Sequence, residues 1–277
     1  MARYVFDAGG SPNNDLSVAD NYDLGAVPGN GDSLVLTGAV NIVAGLNQAA
    51  VTLSELVIPP EMTGSYGVDK ANPYKINATR LVVNGGKANS FLEGNFTDIV
   101  VNRTGTGADE MFFKGTMTRA RLNKGYLSVF GGTWSDVVID PSTGASALAQ
   151  WKLDTGTFTR LWQQNGTGLL SVGTITDAYV VNGTMTSELV ATLTNLYLLN
   201  AATVYHKTTT TLAKAVLLGT SILDASGDHR AKTITLLEAY ENAIAKLNNL
   251  VGNITVTTCR RYGNAQVLGP DGKAFDL

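Results

Sequence analysis

The sequence predicts an all-β fold, a parallel β-helix (β-solenoid) in which short strands stack coil upon coil. Three observations predict it. A six-residue phrase recurs about every 19 residues, Asn or Asp returns where each strand must turn, and one position of the phrase alternates in charge. Self-similarity at such a period marks a stacked repeat.

The phrase is an apolar residue, usually Ser or Thr, a charged or polar residue, then three mostly apolar residues. It reads LSELVI at 53, ATRLVV at 78, FTDIVV at 96, MTRARL at 117, WSDVVI at 134, FTRLWQ at 158, ITDAYV at 175, LTNLYL at 193 and LAKAVL at 212. Five copies follow directly on Gly-Asn or Gly-Thr, at Gly94-Asn95, Gly115-Thr116, Gly132-Thr133, Gly156-Thr157 and Gly173-Thr174. Asn84, Asn102, Asn123, Asp140, Asn165, Asn182 and Asn200 stand where the strands should turn. These residue types tolerate the left-handed backbone of a sharp corner.

Equivalent positions in successive coils stack ~4.8 Å apart. The second position then forms a hydroxyl ladder of Ser54, Thr79, Thr97, Thr118, Ser135, Thr159, Thr176 and Thr194. The third reads Glu55, Arg80, Asp98, Arg119, Asp136, Arg160, Asp177, Asn195 and Lys214. Like charges at that spacing repel, whereas alternating ones pair with both neighbours. Unrelated strands of a sandwich have no reason to alternate in sign.

Side chains alternate across a strand, so unbroken alternation puts the second, fourth and sixth positions on one face. The fourth and sixth are almost all apolar, which makes that face the interior. The first, third and fifth positions then face out. That predicts an outward face carrying Phe96, Met117, Trp134, Phe158, Ile175 and Leu193 beside Trp162, Tyr179 and Tyr197, with the charge ladder between them. So apolar a face should not meet water over its length. Three occupants suit it: two further copies of the chain around a threefold axis, a carbohydrate stacked on the aromatic rings, or the chain's own C-terminal segment. The threefold arrangement is the reading taken.

Composition bounds the function. The chain has 277 residues, 44% apolar and only 16% charged, with 30 Gly and a formal net charge of −3. Low charge with abundant Gly, Thr, Asn and Val suits strands and tight turns. The charge gives no pull toward nucleic acid or an anionic membrane, and no apolar run approaches the ~18 residues of a membrane span. The single Cys259 rules out an internal disulfide framework. The opening MARYVFDAGG has no signal-peptide pattern, so the chain reads as made in a cytoplasm.

Asn21-Tyr22-Asp23-Leu24-Gly25-Ala26-Val27-Pro28-Gly29-Asn30-Gly31-Asp32-Ser33-Leu34-Val35-Leu36 resembles the Asn-Trp-x-x-Gly-x-x-Pro-x-x-Gly-Asp lead-in that opens many phage and bacterial parallel β-helices. Tyr22 stands where Trp is usual. With the repeats, the resemblance to phage parallel β-helix structural proteins covers roughly residues 21 to 220. It implies fold and a virion or cell-surface setting, and brings no catalytic residue. The domains follow: an arm and lead-in over 1–30, the solenoid over 31–232, and a C-terminal cap or arm over 233–277. In that last part Leu237, Tyr240, Ile244, Leu247 and Val251 step by three and four, which predicts one amphipathic helix over 236–251. Gly252 would stop it and a Gly-Pro-Asp-Gly turn follows at 269–272.

Chemistry is sparse. Asp98, Asp136 and Asp177 sit on alternate coils, ~9.6 Å apart, with Arg119 and Arg160 between them. A carboxylate flanked by arginines stays ionised, which disfavours the general acid of a glycan-cleaving solenoid. Glu93, Asp109, Glu110 and Asp154 are scattered. His206 and His229 show no ligand spacing, and His206 reads as an exposed strand residue. For Cys259, Arg260 is the neighbour that could lower its pKa. Asn-x-Ser/Thr triplets at Asn77, Asn95, Asn102, Asn165, Asn182 and Asn253 read as by-products of Asn turns and Thr-rich strands.

The reading is therefore a non-enzymatic structural protein of a tailed bacteriophage, needing no cofactor or metal. Its most concrete form is a capsid decoration or cement protein in the virion, made in the host cytoplasm and homotrimeric. Its partner would be the major capsid protein, with neither nucleic acid nor membrane. The alternative is a tail or head fibre of tailspike type that binds glycan.

Overall fold

The structure, a computed structural model, describes residues 1–86, 89–102, 110–141, 149–227, 230–247 and 254–269. These residues form strands, turns and one turn of 3₁₀ helix at Ala19–Asn21. The fold is a parallel β-solenoid. Contacts divide the chain into two compact units, residues 1–135 with 142–150, and 136–141 with 151–277.

In the first unit, Arg3–Phe6, Ser33–Leu36, Asn47–Ile58, Tyr74–Val83, Ser90–Val101 and Glu110–Leu122 each pair in parallel with the next. In the second, each strand pairs with the next but one. Thr174–Val180, Thr192–Leu198, Leu212–Leu217, Lys232–Ala239 and Ile254–Arg261 form one parallel sheet. Thr167–Leu170, Thr184–Ser187, Thr203–His206, Ile222–Asp224, Ile244–Lys246 and Gln266–Leu268 form another. Each coil thus lends one strand to each sheet, as a period near 19 residues requires.

The register is the one that the phrase predicts. Arg80 pairs with Asp98 and Leu81 with Ile99 in the first unit; Asp177 pairs with Asn195 and Ala178 with Leu196 in the second. The facing of the phrase is different from unbroken alternation. Phe96, Met117, Trp134, Phe158, Ile175 and Leu193 are not an outward face: all are core residues, 0–3% exposed. Trp162, Tyr179 and Tyr197 do point outward and are half-buried. Thr79, Thr97, Thr118, Ser135 and Thr159, expected inside, are exposed. The cause is a bend. The ladder pairs Ile175 with Leu193 and then Asp177 with Asn195, omitting the second position, and the same omission recurs between Phe96 and Asp98. The chain turns there, so two consecutive side chains face water. The interior takes positions one, four and six, and each large apolar side chain buried this way contributes about 1.5–3 kcal/mol.

A second bend lies just before the phrase. Gly115 and Gly132 have φ of +128° and +90°, and a Cβ on Gly132 would lie 1.9 Å from the Gly115 carbonyl oxygen. Glycine there serves both the left-handed backbone and the close approach of stacked coils.

The helix expected over 236–251 is absent. Lys232–Ala239 and Ile244–Lys246 are strands, and residues 248–251 lie outside the described residues. Ile234, Leu237, Ala239, Ala243, Ala245 and Leu247 point inward, at most 1% exposed. Of the predicted helical face, Leu237 and Leu247 point inward while Tyr240 and Ile244 are only half-buried, so their spacing of three and four mixes interior strand positions with turn and outward ones. Lys232–Ala239 is also paired on both sides, Leu212 with Ile234 below and Val256 with Ile234 above. The phrase therefore continues as ITLLEA at 234 and VTTCRR at 256, and the solenoid runs beyond 232.

Gly132→Ala should lose roughly 2–4 kcal/mol of stability in urea unfolding, through clash and strained backbone. Gly227→Ala, where a Cβ meets nothing within 4 Å and no positive φ is imposed, should be neutral or slightly stabilising.

Candidate functional surfaces

The lead-in motif fastens the start of the solenoid. Asn21 is fully buried. Its Oδ1 accepts from Gly10 N at 2.7 Å, and its Nδ2 donates to the Pro12 and Asp15 carbonyls at 2.9 and 2.8 Å. Tyr22 donates to the Leu16 carbonyl at 2.8 Å and sets its ring edge-on to Phe6 and Tyr4. Burial pushes its phenol up to about 12. The carboxylate of Asp32 accepts from Ala2 N at 2.7 Å and Gly29 N at 3.1 Å, and these donors hold it below the usual range. The lead-in also covers the free side of strand Arg3–Phe6, with Asp7 N donating to the Asn21 carbonyl and Asp23 N to that of Val5. An open strand edge is thereby closed.

The charge ladder is built as ion pairs between coils. Arg80 meets Glu55 at 3.2 Å, Arg119 meets Asp98 at 2.6 Å, Arg160 meets Asp136 at 2.5 Å, and Asn195 donates to Asp177 at 2.8 Å. Lys214 stands in register with Asn195 and lies over the Tyr197 ring, 5.6 Å from its centroid. The arginine side chains are half or more exposed, so each pair stabilises by less than about 1 kcal/mol. Their weight lies in register, since a slipped coil would break the pairs and set charges against hydroxyl or apolar neighbours. Further rungs that the phrase did not reveal are Glu93–Lys114, Glu188–Lys207 and Glu238–Arg260. Asp154 pairs with Lys152 at 2.7 Å. Among the described residues no group of three His, Cys, Asp or Glu could hold a metal ion. His229, Asp109, Asn253, residues 270–272 and the side chain of Glu110 lie outside the described residues.

Trp162, Tyr179 and Tyr197 stack face to face on successive coils, with centroids 4.1 and 4.6 Å apart and planes 7° apart in both pairs. Each inner ring face is covered by its neighbour. A sugar ring needs an open aromatic face, so this column presents edges rather than a platform. Tyr240 and Tyr262 repeat the arrangement at 4.6 Å.

Beside the bend lies a second outward rank. The residue just before the phrase points the same way as its second position. In the second unit this rank reads Thr157, Thr174, Thr192, Thr211, Thr233 and Thr255, beside Thr159, Thr176, Thr194, Ala213, Thr235 and Thr257. The register stacks Thr157 on Thr174, Thr174 on Thr192, and Thr233 on Thr255. The Gly-Thr pairs announced this rank in the sequence, where they marked only the start of each copy. In the first unit the same place holds Asn77 and Asn95, whose amides serve the backbone: Asn77 donates to the Ala49 carbonyl and accepts from Asn95 N. An open groove of about 350 Å³ runs there, lined among others by Thr79, Thr97, Thr116 and Thr118.

Gln163 and His206 are among the polar residues buried in the core. Gln163 accepts from Trp151 Nε1 at 2.9 Å and donates to the Gly166 and Thr184 carbonyls. His206 is not an exposed strand residue: it is fully buried, its Nδ1 3.1 Å from Ser187 Oγ and its Nε2 without a partner among the described residues. Burial, with the Lys232 charge adding to it, lowers its pKa to about 4. Cys259 is half-buried, and burial raises its thiol pKa more than Arg261 lowers it. Arg260 is paired with Glu238 instead.

The class that these observations define is the parallel β-solenoid with inter-coil ladders. No protein-family model matches the chain, and neither a curated protein nor a solved structure is similar to it.

Neutral His206 makes stability depend on pH. Its folded pKa of about 4 lies below the ordinary 6.5. As pH falls through 6.5 the unfolded chain takes up a proton that the folded chain refuses. About 3 kcal/mol is lost between pH 6.5 and 4. Urea unfolding at pH 7 and pH 4.5 should show this loss in the natural chain and a smaller one in His206→Leu.

Proposed function

We propose that the chain is a structural protein of a tailed-bacteriophage particle, a decoration or cement protein of the capsid, made in the host cytoplasm and carried in the virion. The observation that carries the reading is the lead-in. Asn21, Tyr22 and Asp32, the residues on which the resemblance to phage β-helices rests, are the ones that fasten the first coil. Their pattern thus has a structural cause here, which supports the lead-in as a working element of the β-helix rather than a chance match. Coils joined by backbone pairing, ion pairs and stacked rings resist local opening. Burial of a partner surface then adds to the stability of a shell by mass action.

The homotrimer belongs to this proposal. Its interface loses the six first-position side chains, which are core, and keeps the Trp162–Tyr179–Tyr197 column and the ion-pair ladder. A fibre that holds glycan is the second reading. The polar groove in the first unit favours it, while the covered faces of the aromatic column do not.

Light scattering on the purified chain should give three times 29.2 kDa, and the protein should sediment with assembled empty phage heads but not with free major capsid protein. A monomer that ignores assembled heads and retains polysaccharide unaltered would transfer the assignment to the fibre reading.

A further inference from the structure

We propose that the paired threonine ranks of the second unit are an ice-binding face. The proposal is independent of the virion assignment and rests on spacing, flatness, free hydroxyls and the absence of charge.

Spacing comes first. In the first three coils of this unit the two outward threonines flank one buried residue: Thr157 and Thr159 flank Phe158, Thr174 and Thr176 flank Ile175, and Thr192 and Thr194 flank Leu193. Residues two apart on a strand lie ~6.6 Å apart, and stacked coils lie ~4.8 Å apart. The ranks therefore form a rectangular net of methyl and hydroxyl groups. The prism face of hexagonal ice also repeats its oxygens along two perpendicular directions, one short and one longer. Water held between the methyls and bonded to the hydroxyls of such a net already has an ice-like arrangement.

Such a match requires a flat surface. Strands in ordinary sheets rotate by about 20–25° from neighbour to neighbour. Here Trp162, Tyr179 and Tyr197, on the same three coils as Thr159, Thr176 and Thr194, each lie with the ring plane only 7° from that of the next. The coils are stacked with little twist, so a planar lattice can follow several rungs.

The hydroxyls are also available. Thr208 and Thr210, elsewhere in this unit, return their hydroxyls to the Ala191 carbonyl. The six threonines of the three coils above make no such bond with described residues. The ranks carry no charge. Asp136, Arg160 and Asp177 begin immediately beyond the bend, so charge and hydroxyls occupy different faces of each coil. The first unit departs from this pattern, because the Asn77 amide is spent on the backbone.

The test uses the purified full chain, with crystal habit and the gap between melting and freezing measured on single ice crystals, and recrystallisation followed in frozen solution. Faceted crystals, a freezing gap that grows with protein concentration and slowed recrystallisation are expected. Thr176→Tyr, a bulky side chain in mid-net, should abolish the gap while the chain remains folded by circular dichroism. Glu61→Gln, at an exposed position of the first unit, should leave it unchanged. Should Thr176→Tyr not fold, Thr159→Lys at an exposed position of the same net replaces it. Round crystals growing as in buffer, from a folded protein, would overturn the proposal. So would a folded Thr176→Tyr or Thr159→Lys variant that keeps the full gap, or a face that retains polysaccharide and not ice.

Discussion

Within each unit the structure depends on one constraint: each coil lies directly on the last, so each side chain meets its counterpart ~4.8 Å away. At that distance identical groups either reinforce or repel one another. Apolar residues reinforce, and Phe158, Ile175 and Leu193 form one continuous interior column. Flat rings reinforce, and Trp162, Tyr179 and Tyr197 stack. Charges do not, and the third position alternates Asp136, Arg160, Asp177 to relieve the conflict. Glycine appears where backbones approach too closely for a Cβ, as at Gly115 and Gly132.

The stack and its register were legible because repetition makes every signal count several times. The facing of the first position was not, although its cause stood in the sequence. Each copy carries two polar residues in succession, Thr97-Asp98, Thr118-Arg119 and Thr176-Asp177 among them. A strand that keeps alternating must bury one of the two. A chain that bends between them exposes both and buries the aromatic residue before them. Desolvating a stacked row of hydroxyls without partners costs more than a bend, so the bend wins. The steps of three and four from Leu237 through Tyr240 and Ile244 to Leu247 gave a false helical period, because they join inward strand positions to half-buried ones of the next turn and strand.

The lead-in was legible as a motif but not as a mechanism. Its spacing identified the start of a solenoid, while the reason for Asn21 and Asp32 lies in bonds to residues up to 30 positions away. His206 was misread because one strand with a single histidine carries no sign of which way it faces. Its neighbours in the stack, Ser187 and Ala225, both fully buried, settle the matter. The threonine net is half visible in the sequence, where the second-position rank recurs along the chain and the rank before it shows only as part of the Gly-Thr pairs.

The central claim is parallel, in-register stacking with Asp177 directly beneath Asn195. Disulfide trapping tests it most directly, because a disulfide needs Cα atoms within about 7 Å. In a Cys259→Ser background, Asp177→Cys with Asn195→Cys should crosslink readily under mild oxidation and leave the fold intact. Asp177→Cys with Lys214→Cys, two coils apart at ~9.6 Å, should stay reduced. Crosslinking of the second pair with none in the first would contradict the register and every ladder built on it.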